Sequence, residues 1–487
     1  MKNTLCDWMK PWRSRGLAAM LCCMAVSLHA KTSPNIVYIL ADDMGYGDVS
    51  ALNPDSKIQT PNIDRLAAEG MHFTDAHSGS AVCTPTRYGI LTGRYSWRTR
   101  LKSGVLYGYD PHLIENDRVT VASYLRSNGY RTACIGKWHI GMDFPSTDGK
   151  PASAKNTDWN GVIENGPVDN GFDHFFGISA SLNMDPYIYI EDDRFVGECT
   201  TTKNFDTRGR KSKAGIAHED FEAVDALPMI VDKSVEYIHQ QTKDQPFFLY
   251  LPLTSPHQPI VPSEAFQGQS DLSPYADFCL QTDAAVGAIF EALEASGLSD
   301  DTIVIFTSDN GSLLPVNYKP HQVKGHQSSY IYRGKKGDIH EGGHRVPYLL
   351  RWPGVVAAGS QSDETTCLTD LLATCAAIIG QPLPVGAGED SVNVLPAMLG
   401  QTTNQALRES TVHHSFDGLF AIRQGKWKLI LGAGAGSMGP PKPGIEKLPK
   451  IQLYDLEQDI SESNNVYDQY PEVVERLTQL LEEIQRG

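Results

Sequence analysis

The chain has 487 residues, of which 41% are hydrophobic and 21% charged, and it carries a formal net charge of −16 at pH 7. This length allows one large domain and a smaller one, and the composition is that of an ordinary globular protein. The acidic surplus argues against nonspecific binding to DNA or RNA, which needs a basic face, so we expect no nucleic-acid partner. It leaves an anionic substrate open, because a local pocket of cations can override the global sign.

The N-terminal segment, residues 1–30, has the pattern of a secretory signal peptide. Basic residues between Lys2 and Arg15 precede an apolar run at residues 16–28, and we expect cleavage near Ala30. The run is too short to span a bilayer as a helix, and no later segment reaches the required length. The sequence therefore predicts an exported protein without a membrane span, either periplasmic or secreted.

Four short apolar runs, rich in β-branched and aromatic residues, each lead directly into a polar cluster. These runs are residues 35–40, 131–135, 246–251 and 302–306. They are typical of buried strands, and helical patterns lie between them at residues 63–69, 121–127, 228–242 and 275–296. The alternation predicts an α/β fold, a large mixed, mostly parallel sheet flanked by helices. Ligand sites in such sheets lie beyond the carboxyl ends of the strands, where all four polar clusters fall.

The C-terminal part of the chain has a different pattern. We expect residues 31–385 to form the catalytic domain and residues 386–487 a smaller α+β subdomain. Its predicted elements are short antiparallel strands at 419–423, 427–431 and 452–454, and an amphipathic terminal helix at 470–485.

Two of the polar clusters carry oxygen ligands and lack an accompanying histidine or thiolate pair. Asp42 and Asp43 follow the first run, and Asp309 and Asn310 follow the fourth. Singly, the first pair is typical of a helix cap and the second of a tight turn. Together, at the ends of two strands, they favour one divalent cation, and hard oxygen donors suit calcium or magnesium rather than zinc.

Nine cysteines are present, three of them in the predicted signal peptide. None of the later ones forms a CxxC pair, so a zinc or redox motif is not indicated. An ordinary cysteine of an exported chain is a buried thiol or a disulfide partner, and one or two disulfides are open among five of them. Those five are Cys134, Cys199, Cys279, Cys367 and Cys375.

Cys83 has neighbours with physical roles of their own. Pro85 fixes one backbone dihedral, and Arg87 offers planar donors to an oxyanion. Cys83 to Arg87, followed by Leu-Thr-Gly-Arg at 91–94, resembles the maturation signature of type I sulfatases of the alkaline phosphatase superfamily. The segments at 129–139, 336–347 and 351–354 resemble further motifs of that family, so the resemblance covers residues 34–354 and continues more weakly to 456.

The resemblance implies a role for each matching residue. A formylglycine-generating enzyme would oxidise Cys83 to formylglycine, whose hydrated aldehyde is the nucleophile of that family. Calcium, with magnesium as the alternative, would be bound by Asp42, Asp43, Asp309, Asn310 and the modified Cys83. Arg87 would lie beside residue 83, Lys137 and Lys336 would contact the sulfate oxygens, and Ser181 would lie near the sulfate. His257 would act as the acid for the leaving oxygen and His139 as the base.

The implied activity is hydrolysis of a sulfate monoester, with a sulfated carbohydrate as substrate. Residues 95–106 resemble sulfatases of 6-O-sulfated galactose or N-acetylgalactosamine. We expect the insert at 312–333 to form a specificity loop. The candidate sugar contacts are Arg98, Arg100, Asn183, Asp185, His321 and His326.

Two other functions remain open at this stage. One is a formylglycine-dependent phosphonate or phosphodiester hydrolase of the same superfamily, which would use nearly the same residues. The other is a sulfated-glycan binder without catalytic activity. Comparing sulfate and phosphate esters would separate the first, and measuring binding without turnover would separate the second.

Overall fold

The computed structural model describes residues 33–487 apart from 208–209, 212–213, 316–317, 403 and 441–442. The predicted signal peptide, its cleavage site and Cys6, Cys22 and Cys23 lie outside the described residues. From residue 33 onward the chain forms one compact unit. In the described part, no helix combines the length and the apolar character needed to cross a membrane.

A ten-stranded sheet forms the centre of the protein. The strands of the whole chain, in order, are β1 (Asn35–Ala41), β2 (Met71–Phe73), β3 (Ala76–His77), β4 (Arg131–Lys137), β5 (His174–Ile178), β6 (Ile190–Glu191), β7 (Arg194–Phe195), β8 (Cys199–Lys203), β9 (Asp206–Thr207), β10 (Arg210–Lys211), β11 (Gly215–His218), β12 (Phe247–Pro252), β13 (Thr302–Ser308), β14 (Tyr348–Arg351), β15 (Ser360–Ser362), β16 (Thr366–Cys367), β17 (Thr411–His414), β18 (Phe420–Gln424), β19 (Trp427–Leu431) and β20 (Ile451–Asp455).

The helices flank this sheet and connect its strands. The α-helices are α1 (Pro61–Glu69), α2 (Cys83–Thr92), α3 (Val121–Ser127), α4 (Ala223–His239), α5 (Pro274–Ala295), α6 (Lys319–Lys324), α7 (Glu341–His344), α8 (Leu371–Ile379), α9 (Leu395–Met398) and α10 (Pro471–Arg486). Short 3₁₀ helices cover Tyr46–Asp48, Ser96–Arg98, Glu264–Phe266, Ser299–Asp301, Leu368–Asp370 and Ile445–Lys447.

The strand order in the large sheet is β15-β2-β14-β13-β1-β12-β4-β5-β6-β7. Its central strands, from β13 to β5, are all parallel, and antiparallel strands adjoin them on both sides. The predicted mixed, mostly parallel sheet is therefore confirmed. Because parallel strands end at the same edge, the loops that follow β1, β4, β12 and β13 are brought together there.

Strand β1 shows why this sheet is covered on both faces. Each of its seven residues is buried, which a strand requires when both faces carry helices. Alternate side chains point to opposite cores. Ile36, Tyr38 and Leu40 pack with α2, α3 and α8, whereas Val37 and Ile39 pack with α1, α4 and α5.

The four strands predicted from the apolar runs and the helices between them are all present. Helix α4 differs most from the prediction, because it begins at Ala223 rather than at Pro228. The extra turn is amphipathic: Ala226 and Leu227 are buried, and Pro228 lies inside the helix. The predicted specificity loop at 312–333 also contains a short helix, α6.

A second, four-stranded antiparallel sheet follows, in the order β17-β18-β19-β20, with α10 packed on it. This confirms the predicted C-terminal sheet and terminal helix. Strand β17 of this sheet contacts the segment just before Cys83, where the amide of Ala81 donates to the carbonyl of His414 over 3.0 Å. The domain boundary at 385/386 stays a prediction.

The possibility of disulfides, which the sequence left open, is not realised among the described residues. All six described cysteines are free and buried. Cys134 and Cys279 lie in β4 and α5, where they pack as small apolar side chains in opposite cores.

Candidate active site

The loops after β1 and β13 bring their acidic residues together at the carboxyl edge of the sheet. Asp43 has a left-handed backbone, with φ of 68°, and its amide donates to Asp309 Oδ1 over 3.1 Å. The side-chain amide nitrogen of Asn310, Nδ2, donates to Asp43 Oδ1 over 2.8 Å. All of these residues, with Asp42, are at most 1% exposed. The predicted ligand residues therefore form one buried carboxylate cluster.

Cys83 is the first residue of α2 and lies against this cluster. Its Sγ is 3.6 Å from Asp42 Oδ1 and 3.4 Å from Lys336 Nζ. The residue is 1% exposed. Burial, and then the nearby carboxylate of Asp309, raise the pKa of the Cys83 thiol. The unmodified side chain is therefore a protonated thiol, which is a poor nucleophile.

Arg87 lies one helical turn after Cys83 and is fully buried. Its Nη2 and Nε donate to Asp309 Oδ2 over 2.8 and 3.1 Å, and its Nη1 donates to the carbonyl of Lys137 over 3.0 Å. Burial alone would lower the pKa of this guanidinium, but Asp309 and then Asp42 outweigh burial and raise it. Arg87 therefore joins α2 to the ends of two strands as a permanent cation.

Two buried lysines complete the ring of charges. Lys137 Nζ lies 2.6 Å from Asp42 Oδ2, and Lys336 Nζ lies 2.6 Å from Asp43 Oδ1. Burial would raise the pKa of both aspartates, but the lysines outweigh it and lower the pKa of each. In turn, Asp43 overcomes the burial of Lys336 and raises the pKa of that amine. Both aspartates and Lys336 are thus charged beside Cys83.

The donor set fits a hard divalent cation. Asp42, Asp43, Cys83 and His257 each offer one ligand atom within 4.8 Å of the others. Asn310 Oδ1 is buried and has no partner among the described residues. Turning this amide over would direct its oxygen towards Asp43, an arrangement that is favourable only with a cation between the two oxygens. We therefore conclude that these residues can hold a metal ion.

The two candidate catalytic histidines flank the cluster. His139 Nε2 donates to the carbonyl of Leu106 over 2.8 Å, and its buried Nδ1 has no partner in the described chain. His257 Nδ1 donates to the carbonyl of Gln258 over 2.5 Å, and its Nε2 is 3.6 Å from Asp43 Oδ2. Burial lowers the pKa of both histidines, and nearby lysines lower it further. Each neutral ring thus keeps a lone pair on its other nitrogen.

Three of the predicted substrate contacts lie in the loop after β5, at the same edge of the sheet. Ser181 is 1% exposed, and its hydroxyl has no partner among the described residues. Asn183 and Asp185 are partly buried, and Asn183 Oδ1 also has no partner within the described ranges. Their role in substrate binding stays a prediction.

The other four predicted sugar contacts are engaged elsewhere. Arg98 donates to both carboxylate oxygens of Asp390, and Arg100 donates to two backbone carbonyls, those of Pro111 and His112. These partners lie outside the carboxylate cluster, so the positions of both arginines do not support the predicted contacts with the sulfated sugar.

His321 and His326 are 2% and 1% exposed. His326 donates from Nε2 to Asp48 and accepts the amide of Lys57 at Nδ1, so both of its nitrogens are used. His321 bonds to Ser273. Because both rings are buried and bonded within the protein, their positions do not fit the predicted contacts with a sugar, and they fix the 312–333 segment instead.

Sequence reasoning singled out residues 95–106 for their resemblance but missed the contacts that Leu106 makes. Its amide donates to the Thr84 hydroxyl over 3.1 Å, and its carbonyl orients His139. One residue thus ties the start of α2 to a candidate catalytic histidine. No sequence signal marks these contacts, because both are made by the backbone of Leu106.

A second buried cluster of charge lies between α7 and the C-terminal sheet. Lys428 Nζ contacts Glu341 over 3.0 Å, Glu462 over 2.8 Å and His344 Nε2 over 2.9 Å. Three further side chains extend these contacts. The Lys428 cluster comprises Lys428, Glu341, Glu462, His344, His77, Asp75 and Arg345.

Comparisons with known proteins agree with this arrangement. The family model for sulfatases matches residues 34–380. The chain is 35% identical to an N-acetylgalactosamine-6-O-sulfatase of Bacteroides thetaiotaomicron, covering 93% of both chains. It is 32% identical to human arylsulfatase A, covering 95% of this chain and 90% of that protein.

A solved structure described under glycosaminoglycan metabolism by Bacteroides thetaiotaomicron matches with a TM-score of 0.81 at 33% identity, covering 93% of this chain and 100% of that one. The fold and the site together define a hydrolase of sulfuric esters. The chain belongs to the sulfatase family.

Proposed function

We propose that this protein removes a 6-O-sulfate group from N-acetylgalactosamine or galactose in a sulfated glycan. The observation that carries the proposal is the position of Cys83, whose Sγ lies 3.4 Å from Lys336 Nζ and 3.6 Å from Asp42 Oδ1 in a buried ring of charges. The sugar is supported by the 35% identical N-acetylgalactosamine-6-O-sulfatase and by human N-acetylgalactosamine-6-sulfatase at 29% identity.

Two groups beyond the encoded side chains belong to the proposal. Cys83 would be oxidised to formylglycine by a maturation enzyme. Calcium, with magnesium as the alternative, would be held by Asp42, Asp43 and residue 83, which offer ligand atoms close together, and by the neighbouring Asp309 and Asn310. When bound, the ion supplies charge neutralisation, and the hydrated aldehyde supplies the nucleophile. The poor nucleophilicity of a buried thiol supports the modification.

The cations of the site bind and orient the sulfate. Lys137 holds Asp42 with one N–H and has further N–H groups for the sulfate oxygens, where negative charge shifts during transfer. Lys336 contacts both carboxylate oxygens of Asp43 and Cys83 Sγ, so it supplies positive charge directly beside residue 83. Arg87 has its bonds to Asp309 and to the Lys137 carbonyl, so it fixes the ring rather than the substrate. Ser181 offers its unpartnered hydroxyl.

The histidines move protons. Because His139 Nε2 must carry the hydrogen that the Leu106 carbonyl accepts, the neutral ring has its lone pair at Nδ1 and acts as a base there. By the same argument, His257 uses Nε2, which carries a proton only in the charged ring. Because the lowered pKa leaves the resting ring neutral, His257 must first take up a proton from solvent at Nε2, and the same low pKa then favours passing that proton to the leaving sugar oxygen.

The place of action follows from the substrate and the N-terminus. Sulfated polysaccharides are extracellular polymers, and residues 1–30 have the pattern of a signal peptide. We place the mature protein in the periplasm or outside the cell.

The test is sulfate release from a panel of sulfated mono- and oligosaccharides, with calcium present. Peptide mass at residue 83 serves as the maturation control, and phosphate esters and phosphonates with matched leaving groups serve as the competing substrates. Preferred release from 6-O-sulfated N-acetylgalactosamine or galactose supports the proposal. Preference for phosphonates, or binding without turnover in protein that carries formylglycine, contradicts it.

A further inference from the structure

A basic pocket, separate from the carboxylate cluster, opens on the surface between residues 94–102 and the C-terminal helix. Its volume is about 470 Å³. Its lining residues are Arg94, Trp97, Arg98, Lys102, Phe420, Gln485 and Arg486. Four of these seven residues are cations and none is an acid, which is unusual in a chain of net charge −16.

The four cations are not equally available to a ligand. Arg94 and Arg98 are 16% and 13% exposed, and they pair with Glu115 and Asp390. Lys102 and Arg486 are exposed and have no carboxylate partner in the described ranges. Lys102 Nζ donates to the carbonyl of Trp97, and Arg486 Nε donates to that of Glu482. Each therefore retains a full charge and unused N–H groups.

The side chains that line the pocket are held by contacts with one another, and Lys102 and Arg486 extend from this layer. Arg98 stacks over the Trp97 ring at 4.6 Å and also donates to the carbonyl of Ile484, the residue before Gln485. Phe420 packs edge-on against the other side of this layer, with ring centroids 5.7 Å from Trp97. Arg98 thus connects the 94–102 segment to the C-terminal helix α10 across the pocket.

The pocket is also close to the candidate active site along the chain. Lys102 lies four positions before Leu106, a span of at most about 14 Å. Leu106 in turn contacts His139 over 2.8 Å. The intervening backbone is held by Gly104, whose amide donates to the Phe416 carbonyl over 2.8 Å. Along the chain, the pocket and the candidate active site are therefore joined by one short, hydrogen-bonded segment.

We propose that this pocket is a distal subsite that binds a sulfate or carboxylate group on a further sugar of the same glycan. The inference rests on the proposed function, because it concerns a chain whose terminal sulfate occupies the Cys83 site. Lys102 and Arg486 supply the attraction, and the partly exposed Phe420 supplies an apolar surface for a sugar ring. Such a subsite would let an acidic protein hold an anionic polymer.

The test uses three tetrasaccharides that share one terminal 6-O-sulfated unit. One has a neutral tail, one carries carboxylates in the tail, and one carries sulfates. The natural sequence should show a KM for one or both anionic tails about fivefold to tenfold below that for the neutral tail at low salt, and the difference should vanish near 0.5 M salt, about the concentration at which charges screen over a few ångströms.

The variant is the charge reversal Lys102→Glu with Arg486→Glu. It should raise the KM of the anionic tails relative to the neutral tail to at least parity, and its effect should shrink with salt. The matched control is Lys155→Glu with Lys243→Glu, two exposed lysines outside the pocket. The control should retain the preference for anionic tails. Loss of preference in both double variants, or in neither, overturns the subsite.

Failure of the proposed function would have a different signature. If the neutral-tail substrate is hydrolysed but no anionic tail is preferred, the subsite alone is wrong. If no substrate is hydrolysed by protein that carries formylglycine, the proposed function is wrong. In that event, calorimetric binding of the sulfated tetrasaccharide still decides the subsite: an affinity that the pocket variant loses supports it, and an equal affinity or no binding overturns it.

Discussion

Two buried clusters of charge in this protein use the same kinds of residue in opposite ways. In the Lys428 cluster, one amine lies between Glu341, Glu462 and His344, so the acids are joined by a cation of the protein itself. In the carboxylate cluster, Lys137 and Lys336 each contact one aspartate, and Lys336 also faces Cys83. The first arrangement links segments of the chain, whereas the second gathers charge around one reactive atom.

Unpartnered buried atoms also lie near the candidate active site. His139 Nδ1, Ser181 Oγ and Asn310 Oδ1 are buried without partners among the described residues. Buried polar atoms without a hydrogen bond cost stability, which a bound ligand can offset. The Lys428 cluster has such an atom beside it as well, since the neighbouring His413 Nε2 shares this property, so the clusters differ in how their cations are arranged rather than in unused atoms.

The largest expected effect is on activity, from Cys83→Ala. Removing the proposed nucleophile should lower turnover of an aryl sulfate by at least about 10⁴-fold, as loss of a covalent nucleophile does elsewhere. The melting temperature should stay nearly unchanged, because alanine is a good first residue for α2 and the charged residues of the carboxylate cluster are left in place. Kinetics and thermal unfolding on one preparation check both. Retained turnover would contradict the assignment.

The second expected effect is on stability, from Lys428→Met. It leaves Glu462 buried without its cation and Glu341 with Arg345 alone, and it should cost about 3–5 kcal/mol of unfolding free energy. Adding Glu462→Gln should recover part of this loss. The matched control is Lys426→Met, whose solvent-exposed pair with Asp455 should contribute much less to stability than the buried contacts of Lys428. Urea denaturation measures all three, and equal losses for the two lysines would remove the distinction between the clusters.

Metal binding should separate the clusters next. Calcium at about 100 times its Kd should stabilise the protein by about 2.7 kcal/mol, and a chelator should reverse this. Asp43→Asn should weaken the calcium-induced shift in melting temperature, because it removes a charged ligand. Glu462→Gln should keep the shift, because its carboxylate already has Lys428 as partner. If the calcium-induced shift is retained in Asp43→Asn but lost in Glu462→Gln, the ion binds in the Lys428 cluster and the proposed metal site is wrong.

The smallest effect concerns pH and His414, whose carbonyl joins the C-terminal sheet to Ala81. Burial lowers the pKa of His414 to about 4. As the pH falls, His414 therefore binds a proton near pH 6.5 in the unfolded chain but only near pH 4 in the folded chain. The contribution of neutral His414 to the unfolding free energy is complete above pH 6.5 and decreases as the pH drops towards 4. The loss should be about 2 kcal/mol at pH 5. His414→Gln should flatten the pH dependence by about one proton; an unchanged slope would show that His414 does not carry it.

The sequence predicted the fold well where a physical period was strong. The run that became β1 is apolar throughout, and the C-terminal helix has a clear amphipathic stripe. The start of α4 was missed because Pro228 signals a helix start, whereas the preceding Ala226 and Leu227 are buried against the sheet and extend the helix backwards. Tertiary burial decided that boundary, and it is not visible in local propensity.

Residues that follow strands were easier to place than residues in long loops. Asp42, Lys137, His257 and Asp309 each follow a central parallel strand or end one, and topology then brings them together. His326 is polar and lies in an insert, which resembles a surface contact in the sequence. Its burial depends on Asp48, 278 positions away, and no local pattern encodes that contact.

The burial of Cys83 has a consequence for the order of events in the life of the chain. The thiol is 1% exposed, and every residue of the helix that it begins is buried. Under the proposed modification, an oxidising enzyme would have to reach this segment before the chain has folded. Maturation and folding would then compete in time, and chains that fold first would keep a buried thiol at residue 83.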